Sequence, residues 1–259
     1  MAKDRYLQAL RGLAISAVVL IHCLPQCAAS VAIRPFLNFS VALFLFLSGV
    51  LTDERKFNAG RGLRRRISKV AGPYAFWSVI YLAAFPRPSW ASGFLAFAVG
   101  SVSAQMYYLL VYSQLVLLTP VLFRLLSRYR FFIYCVTPAC LLLRELAAVA
   151  GIALPLIQVF CPMWLIFYVF GLDWRRWAAL IEGRTTQLVA VLFIFLIIQE
   201  VAGFWWYLTG DFNMATTQLK LGSAATSLAV IALLMAVPGS FKSRLSSTLL
   251  VDLGNASFG

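Results

Sequence analysis

The sequence has few charged residues and few of the side chains that build metal or catalytic clusters. Only 12% of its 259 residues are charged, 62% are hydrophobic, and there is a single histidine. A soluble domain carries about 25% charged residues, so the composition excludes an ordinary soluble fold. The five cysteines show no Cys-x-x-Cys and no Cys/His spacing. We therefore expect no metal site.

Acidic residues are scarce, with nine against 22 lysines and arginines and a net charge of +13. In a soluble protein such an excess would suggest a nucleic-acid partner. Here the basic residues lie in alternate connections between apolar segments, which is the positive-inside pattern of membrane proteins. We therefore expect the lipid bilayer, and no nucleic acid, as a partner. The pattern also predicts a cytoplasmic N-terminus and a multi-pass protein of the inner or plasma membrane.

The apolar residues form long runs that predict membrane-spanning helices, each of which needs about 20 residues. Eight complete spans are predicted at residues 10–32, 35–52, 70–85, 104–126, 131–150, 155–172, 187–207 and 218–238. A ninth begins near Leu249, Pro25 should kink the first, and residues 90–103 are predicted to be interfacial or re-entrant. The fold class is therefore an all-α polytopic bundle. Residues 1–259 form one integral membrane domain.

The first span contains two ionisable residues, Arg11 and His22, and His22 is the only histidine. On an α-helix, 11 residues bring the chain about 20° past three full turns, so both side chains share one face. They lie about 16 Å apart along the axis. If Arg11 is at a membrane surface, His22 lies near the midplane of a core about 30 Å thick. An ionisable residue there is a functional candidate.

Two interpretations of His22 follow from its position. A buried neutral imidazole is a suitable general base, because it takes a proton from a hydroxyl that attacks an acyl carbon. Alternatively, the ring packs between helices and donates a hydrogen bond to a neighbouring span. Arg11 also has a simpler interpretation, as an interfacial arginine at the start of a first span.

Residues 53–69 form a strongly basic connection, DERKFNAGRGLRRRISK. Two interpretations of this positive charge are open. It sets the membrane topology and contacts lipid headgroups, or it forms a surface that binds an anion. Arg61, Arg64 and Arg65 lie at helical spacings and would grip phosphates through paired N–H donors.

Three further charged residues lie inside predicted spans: Arg144, Glu145 and Glu200. Adjacent residues on a helix do not face each other, so Arg144 and Glu145 need partners elsewhere. Two roles are open for the three residues: ion pairing that stabilises the bundle, and contact with a substrate. Ser48 and Gly49 are small and are predicted to allow close helix packing.

Several motifs in order resemble those of the membrane-bound acyltransferase 3 family. That family has an arginine, ten residues and a histidine in its first helix, as Arg11 and His22 stand in RYLQALRGLAISAVVLIHC. The similarity continues in ALFLFLSGVL, RGLRRRISKVAGPY, MYYLLVYSQLVLLTPVL, FYVFGLDW and LGNASFG. The last motif resembles the start of the family's final helix. The resemblance therefore implies that this last helix is lacking after Gly259.

The resemblance implies an O-acyltransferase that transfers groups other than amino-acyl groups. Its donor substrate would be acyl-CoA, usually acetyl-CoA, with no permanently bound cofactor. The acceptor would be a hydroxyl of an extracytoplasmic glycan or glycolipid, as in polysaccharide modification of the cell envelope. His22 would act as base and Arg11 as its partner or as an orienting cation. Arg61, Arg64 and Arg65 become candidates for binding the CoA phosphates.

Two other classes of function remain open from the sequence. One is a transporter or flippase of an acyl donor or glycolipid, with His22 as a proton relay. Such proteins often show inverted repeats, and the sequence has no evident internal symmetry. The other is an inactive membrane anchor or sensor domain. An enzyme should transfer acyl groups in detergent, whereas a transporter needs a sealed membrane.

Overall fold

The computed structural model describes residues 4–54, 61–103 and 105–256, apart from the side chains of residues 61, 62, 64 and 65. These ranges contain helices and connections and no β-strand. The helices are α1 (Arg5–Cys23), α2 (Ala28–Ile33), α3 (Phe39–Val50), α4 (Arg61–Ala84), α5 (Trp90–Ala98), α6 (Met106–Val149), α7 (Leu165–Leu172), α8 (Trp174–Ile181), α9 (Thr185–Leu208), α10 (Phe212–Thr216), α11 (Leu221–Ala236), α12 (Gly239–Leu245) and α13 (Thr248–Ala256).

Several of these helices are long and apolar enough to cross a membrane. They lie at Arg5–Cys23, Met106–Val149 and Thr185–Leu208, and in two segments of consecutive helices, Ala28–Val50 and Phe212–Ala236. The all-α class is therefore confirmed for the described residues, which include several apolar helices that could span a membrane. Helix α5 has nine residues, about 14 Å at the usual rise, so it is too short to cross a bilayer.

Helix α1 begins at a cap and ends before a proline. The Asp4 carboxylate accepts hydrogen bonds from the backbone N–H groups of Tyr6 (2.9 Å) and Leu7 (3.4 Å). The helix ends at Cys23, and Leu24 is extended with φ −72° and ψ 129°. The residue before a proline disfavours the helical conformation, so Pro25 breaks the helix. The prediction of one kinked span over residues 10–32 was wrong, and His22 lies in the last turn of α1.

Helix α6 is a 44-residue element with a break at Tyr129, where φ is −128° and ψ is 36°. Its two arms correspond to the spans predicted at residues 104–126 and 131–150. Just after the break, the Arg130 guanidinium lies 2.9 Å from the Asp173 carboxylate. This ion pair joins the break to the connection between α7 and α8.

Residues 155–172 were predicted as one span but do not form a continuous helix. Two short 3-10 turns, Ile157–Val159 and Cys161–Met163, precede the eight-residue α7. The Gln114 side chain donates to Val159 O (2.8 Å) and accepts from Cys161 N (3.1 Å). Thr137 Oγ1 donates to Pro162 O (2.7 Å). Side chains of α6 thus satisfy backbone groups that the broken segment leaves free, as irregular backbone inside a membrane protein requires.

Two helix crossings bring backbones into direct contact at glycines. A Cβ added at Gly49 of α3 would lie 2.3 Å from Tyr168 O, and one at Gly171 of α7 would lie 2.1 Å from Phe46 O. The close packing predicted at Gly49 is therefore confirmed. A second crossing joins α1 to α13, where a Cβ at Gly12 would lie 2.0 Å from Leu250 O. These contacts fix the position of the helix that carries His22.

The charged residues predicted inside spans form a cluster near the start of α11. Lys220 is only 3% exposed, and its ammonium donates to Ala215 O (2.8 Å). Glu145 Oε1 accepts from Leu221 N (2.5 Å), and Glu145 and Glu200 are both electrostatically close to Lys220. Glu145 therefore has a structural role: it caps the N-terminus of α11 and offsets a buried positive charge.

This role of Glu145 predicts a graded loss of stability. Glu145→Gln keeps an oxygen acceptor for Leu221 N but removes the charge, whereas Glu145→Ala removes both. Leaving an N–H donor inside the protein without an acceptor costs about 1–3 kcal/mol, and both variants remove a carboxylate that is electrostatically close to the buried Lys220. We therefore expect the thermal midpoint in detergent to fall in the order wild type, Gln variant, Ala variant. Equal midpoints for all three proteins would contradict the role.

Candidate active site

A cavity of about 920 Å³ lies inside the helix bundle, between α1, α4, α6 and the chain that leads into α11. Its size is in the range of small-molecule sites, about 300–1,000 Å³. Its wall combines aromatic residues with polar ones. The charged or amide-bearing side chains on the wall are His22, Gln26, Arg34, Lys69, Gln105, Arg144, Gln158, Asn213 and Gln218. Among the described residues that line the cavity there is no aspartate or glutamate.

His22 lies on the wall of this cavity, at the end of α1. Its side chain is exposed, so the expectation of a ring buried among helices was wrong. The reason is the helix end: the chain turns away at Leu24, and no further turn of α1 covers the imidazole. The ring is therefore accessible to a ligand in the cavity, which a general base requires.

Arg11 lies on the same helix but away from the imidazole. Eleven residues separate it from His22, about 16 Å along the axis, and the described cavity wall does not include it. Its Nη1 donates to Gln8 Oε1 (3.3 Å). Its guanidinium is electrostatically close to Tyr108 and to Arg66 of α4. The structure therefore groups Arg11 with the basic start of α4.

Arg61, Arg64 and Arg65 form part of the first turns of α4, and their side chains lie outside the described part of the structure. The next arginine, Arg66, donates to Thr52 Oγ1 (2.6 Å) and Leu51 O (2.8 Å). These bonds attach the start of α4 to the end of α3.

Lys69 lines the cavity, although it was not among the predicted site residues. It stands four residues after Arg65, so the two share a helix face. Extending the helical spacing of the arginines by one turn would have found it. Lys69 extends the positive charge of α4 into the cavity that contains His22.

Arg34 and Arg144 also line the cavity. Arg34 was not predicted as a site residue, and for Arg144 both ion pairing and substrate contact were left open. Arg34 Nη2 lies 3.4 Å from Ile21 O, the backbone carbonyl next to His22. Arg144 Nη1 donates to Leu219 O (2.6 Å). The sequence did contain a signal for each residue. Arg34 stands in a connection that is otherwise nearly neutral, and Arg144 stands inside a predicted span.

These features define a class: an integral membrane helix bundle with a cationic internal cavity and a histidine on its wall. A family model described as an acyltransferase domain, that of the acyltransferase 3 family, matches residues 4–259. The chain therefore belongs to the acyltransferase 3 family, and the resemblance inferred from its motifs is confirmed. No curated protein and no solved structure matches the chain. The protein is thus a membrane acyltransferase in the general sense of that family.

Proposed function

We propose that the protein is an O-acyltransferase that moves an acetyl group from acetyl-CoA to a hydroxyl of an extracytoplasmic glycan or glycolipid. The observation that carries the proposal is His22 on the wall of a cationic cavity in a chain of the acyltransferase 3 family. Lys69 approaches this cavity from the basic α4, whereas Arg34 approaches it from the break after α1. In this proposal the donor reaches the imidazole from the side of α4 and the acceptor from the side of Arg34.

The donor end is formed by the basic start of α4. Arginine binds phosphate through two parallel N–H donors, so Arg61, Arg64 and Arg65 are the proposed contacts of the CoA phosphates. Lys69 stands further along the same helix, on the cavity wall. Arg11, which is electrostatically close to Arg66, is proposed to orient the donor from the α1 side and not to contact His22.

In the proposed reaction His22 acts as the general base. An imidazole nitrogen takes the proton of the acceptor hydroxyl while the hydroxyl oxygen attacks the thioester carbonyl carbon. The tetrahedral intermediate then collapses, the carbon–sulfur bond breaks, and the imidazolium returns its proton to the leaving thiolate. The products are an O-acetyl ester and free CoA. These bond-making and bond-breaking steps need neither a metal ion nor a redox reaction.

The proposal is tested with the purified protein in detergent, radiolabelled acetyl-CoA and an extract of envelope glycans. We expect radiolabelled acetyl groups on the glycan fraction, although the detergent assay contains no sealed membrane. S-acetyl-pantetheine lacks all the phosphates and the adenosine of CoA. If α4 binds the CoA phosphates, half-maximal transfer from this donor should require a much higher concentration than transfer from acetyl-CoA. An absence of both acetyl-CoA binding and label transfer in detergent would overturn the proposal and favour a transporter.

A further inference from the structure

Two arginines, Arg34 and Arg144, lie on the cavity wall at the end of the bundle where α1 stops. Arg34 stands directly after α2, with Nη2 3.4 Å from Ile21 O. Arg144 lies near the end of the second arm of α6 and is attached through Nη1 to Leu219 O. Both therefore reach the cavity from elements other than α4.

Neither guanidinium is fully used by the protein. A guanidinium has five N–H donors in a fixed plane. Arg34 Nε is buried without a hydrogen-bond partner, and leaving a buried charged donor unsatisfied is costly. Hydrogen bonds of Arg144 occupy only the Nη1 group. Several N–H donors thus remain for a ligand.

The charge around these arginines is not neutralised on the cavity wall. No carboxylate lies among the described residues that line the cavity. Two carboxylates outside the wall, Glu145 and Asp211, are electrostatically close to Arg144. Glu145 also accepts from Leu221 N and is electrostatically close to Lys220. Asn213 and Gln218 add neutral amides to the wall. This end of the cavity is therefore complementary to an anion.

We propose that the acceptor substrate carries an anionic group, a carboxylate or a phosphate, which Arg34 and Arg144 bind. Binding there holds the acceptor beside the backbone of residue 21 and presents its hydroxyl to His22. This inference rests on the proposed function and narrows its acceptor class to acidic glycans or phosphate-bearing glycolipids. The two arginines position the acceptor and take no part in proton transfer.

The test measures binding by isothermal titration calorimetry in a non-ionic detergent. The carboxylate probe is an oligogalacturonate, compared with its carboxyl-reduced form. The phosphate probe is a glycerol phosphate oligomer, compared with uncharged polyglycerol. We expect at least one anionic probe to bind at least tenfold more tightly than its neutral counterpart. The probe that does so identifies the anion.

The variants are Arg34→Gln and Arg144→Gln, with Arg87→Gln as the matched control. Arg87 donates to Ser101 O (3.0 Å) and does not line the cavity. We expect at least a tenfold loss of anionic-probe affinity in the two cavity variants, none in the control, and unchanged acetyl-CoA binding in all three. If a glutamine variant fails to fold, Arg34→Lys and Arg144→Lys keep the charge and should retain part of the affinity.

The outcomes separate this inference from the proposed function. Equal binding of anionic and neutral probes, or equal losses in the Arg87 control, would overturn the anionic acceptor even if label transfer to glycans is observed. Selective anion binding that depends on Arg34 and Arg144 would support the site even in a protein that transfers no label. In that case the acyl-transfer proposal alone would fail.

Discussion

Replacement of His22 by alanine is expected to lower the rate of acyl transfer by about 10²–10⁴-fold, the usual contribution of a general base. The ring lies on the cavity wall, and within the part of the chain that the structure describes it makes no side-chain hydrogen bond. The affinity for acetyl-CoA should change little, because the proposed phosphate contacts belong to α4. The loss should therefore appear in kcat and not in donor binding.

The measurement compares transfer rates of wild type, His22→Ala and a control on the same helix, Ser16→Ala. The Ser16 hydroxyl donates to Gly12 O (2.9 Å) within α1 and does not line the cavity, so that control should keep nearly full activity. Because the cavity is open at His22, added imidazole should restore part of the rate to the alanine variant. Undiminished transfer by His22→Ala would remove the histidine from the mechanism.

A further assay without acceptor distinguishes the two ways in which the imidazole can act. If His22 is a base, labelled acetyl-CoA alone leaves no label on the protein. If the imidazole nitrogen takes the acetyl group first, the wild type retains label that His22→Ala does not.

The second large effect is expected on stability, at the crossing of α3 and α7. Gly171→Ala would place a Cβ 2.1 Å from Phe46 O, and Gly49→Ala would place one 2.3 Å from Tyr168 O. Both neighbours are backbone atoms, which cannot move aside by a rotamer change, and every residue from Leu165 to Gly171 is buried. Overpacking of this kind costs about 1–3 kcal/mol and occasionally more. We expect each variant to unfold at a clearly lower temperature.

The matched control for this crossing is Gly93→Ala in α5. A Cβ at Gly93 would lie 3.8 Å from its nearest neighbour, Leu82 Cδ2, and alanine is favoured over glycine in a helix by about 0.5–1 kcal/mol. Its thermal midpoint in detergent should be unchanged or higher. If Gly171→Ala melts at the same temperature as Gly93→Ala, the two helices do not cross as closely as described.

Local signals in the sequence were sufficient for the all-α class and for several of the apolar helices. The apolar run that begins near Leu10 predicts most of α1, and the single histidine in that run made His22 a candidate site residue. The position of the ring on a cavity wall depends on Leu24 and Pro25. The proline was recognised, but its effect was expected to be a kink. A kink and a helix end have the same sequence signal, and only the packing of the following residues distinguishes them.

Features that depend on distant contacts could not be predicted from the sequence. The segment before α7 looks like an apolar span, because the side chains that satisfy its backbone, Gln114 and Thr137, belong to another helix. Nothing near Arg34 in the sequence indicates that it approaches the backbone of Ile21, so this arginine was not predicted as a site residue. The partners of Arg144 and Glu145 are Leu219 O and Leu221 N. Both lie more than 70 positions later in the chain, so the sequence around the two residues does not indicate them.

The contact of α1 with the end of the described chain also determines when the molecule can assemble during synthesis. The Tyr6 hydroxyl donates to Leu234 O, 228 positions later in the chain, and Gly254 lies against Gln8. Ribosomes add about 5–20 residues per second, so α1 spends on the order of ten seconds or more in the bilayer before these partners are made. The helix that carries the only histidine is thus made well before the segments that it packs against in the folded protein. The cavity wall that includes His22 also includes Ala256, so this wall is complete only after synthesis has passed the end of the described chain.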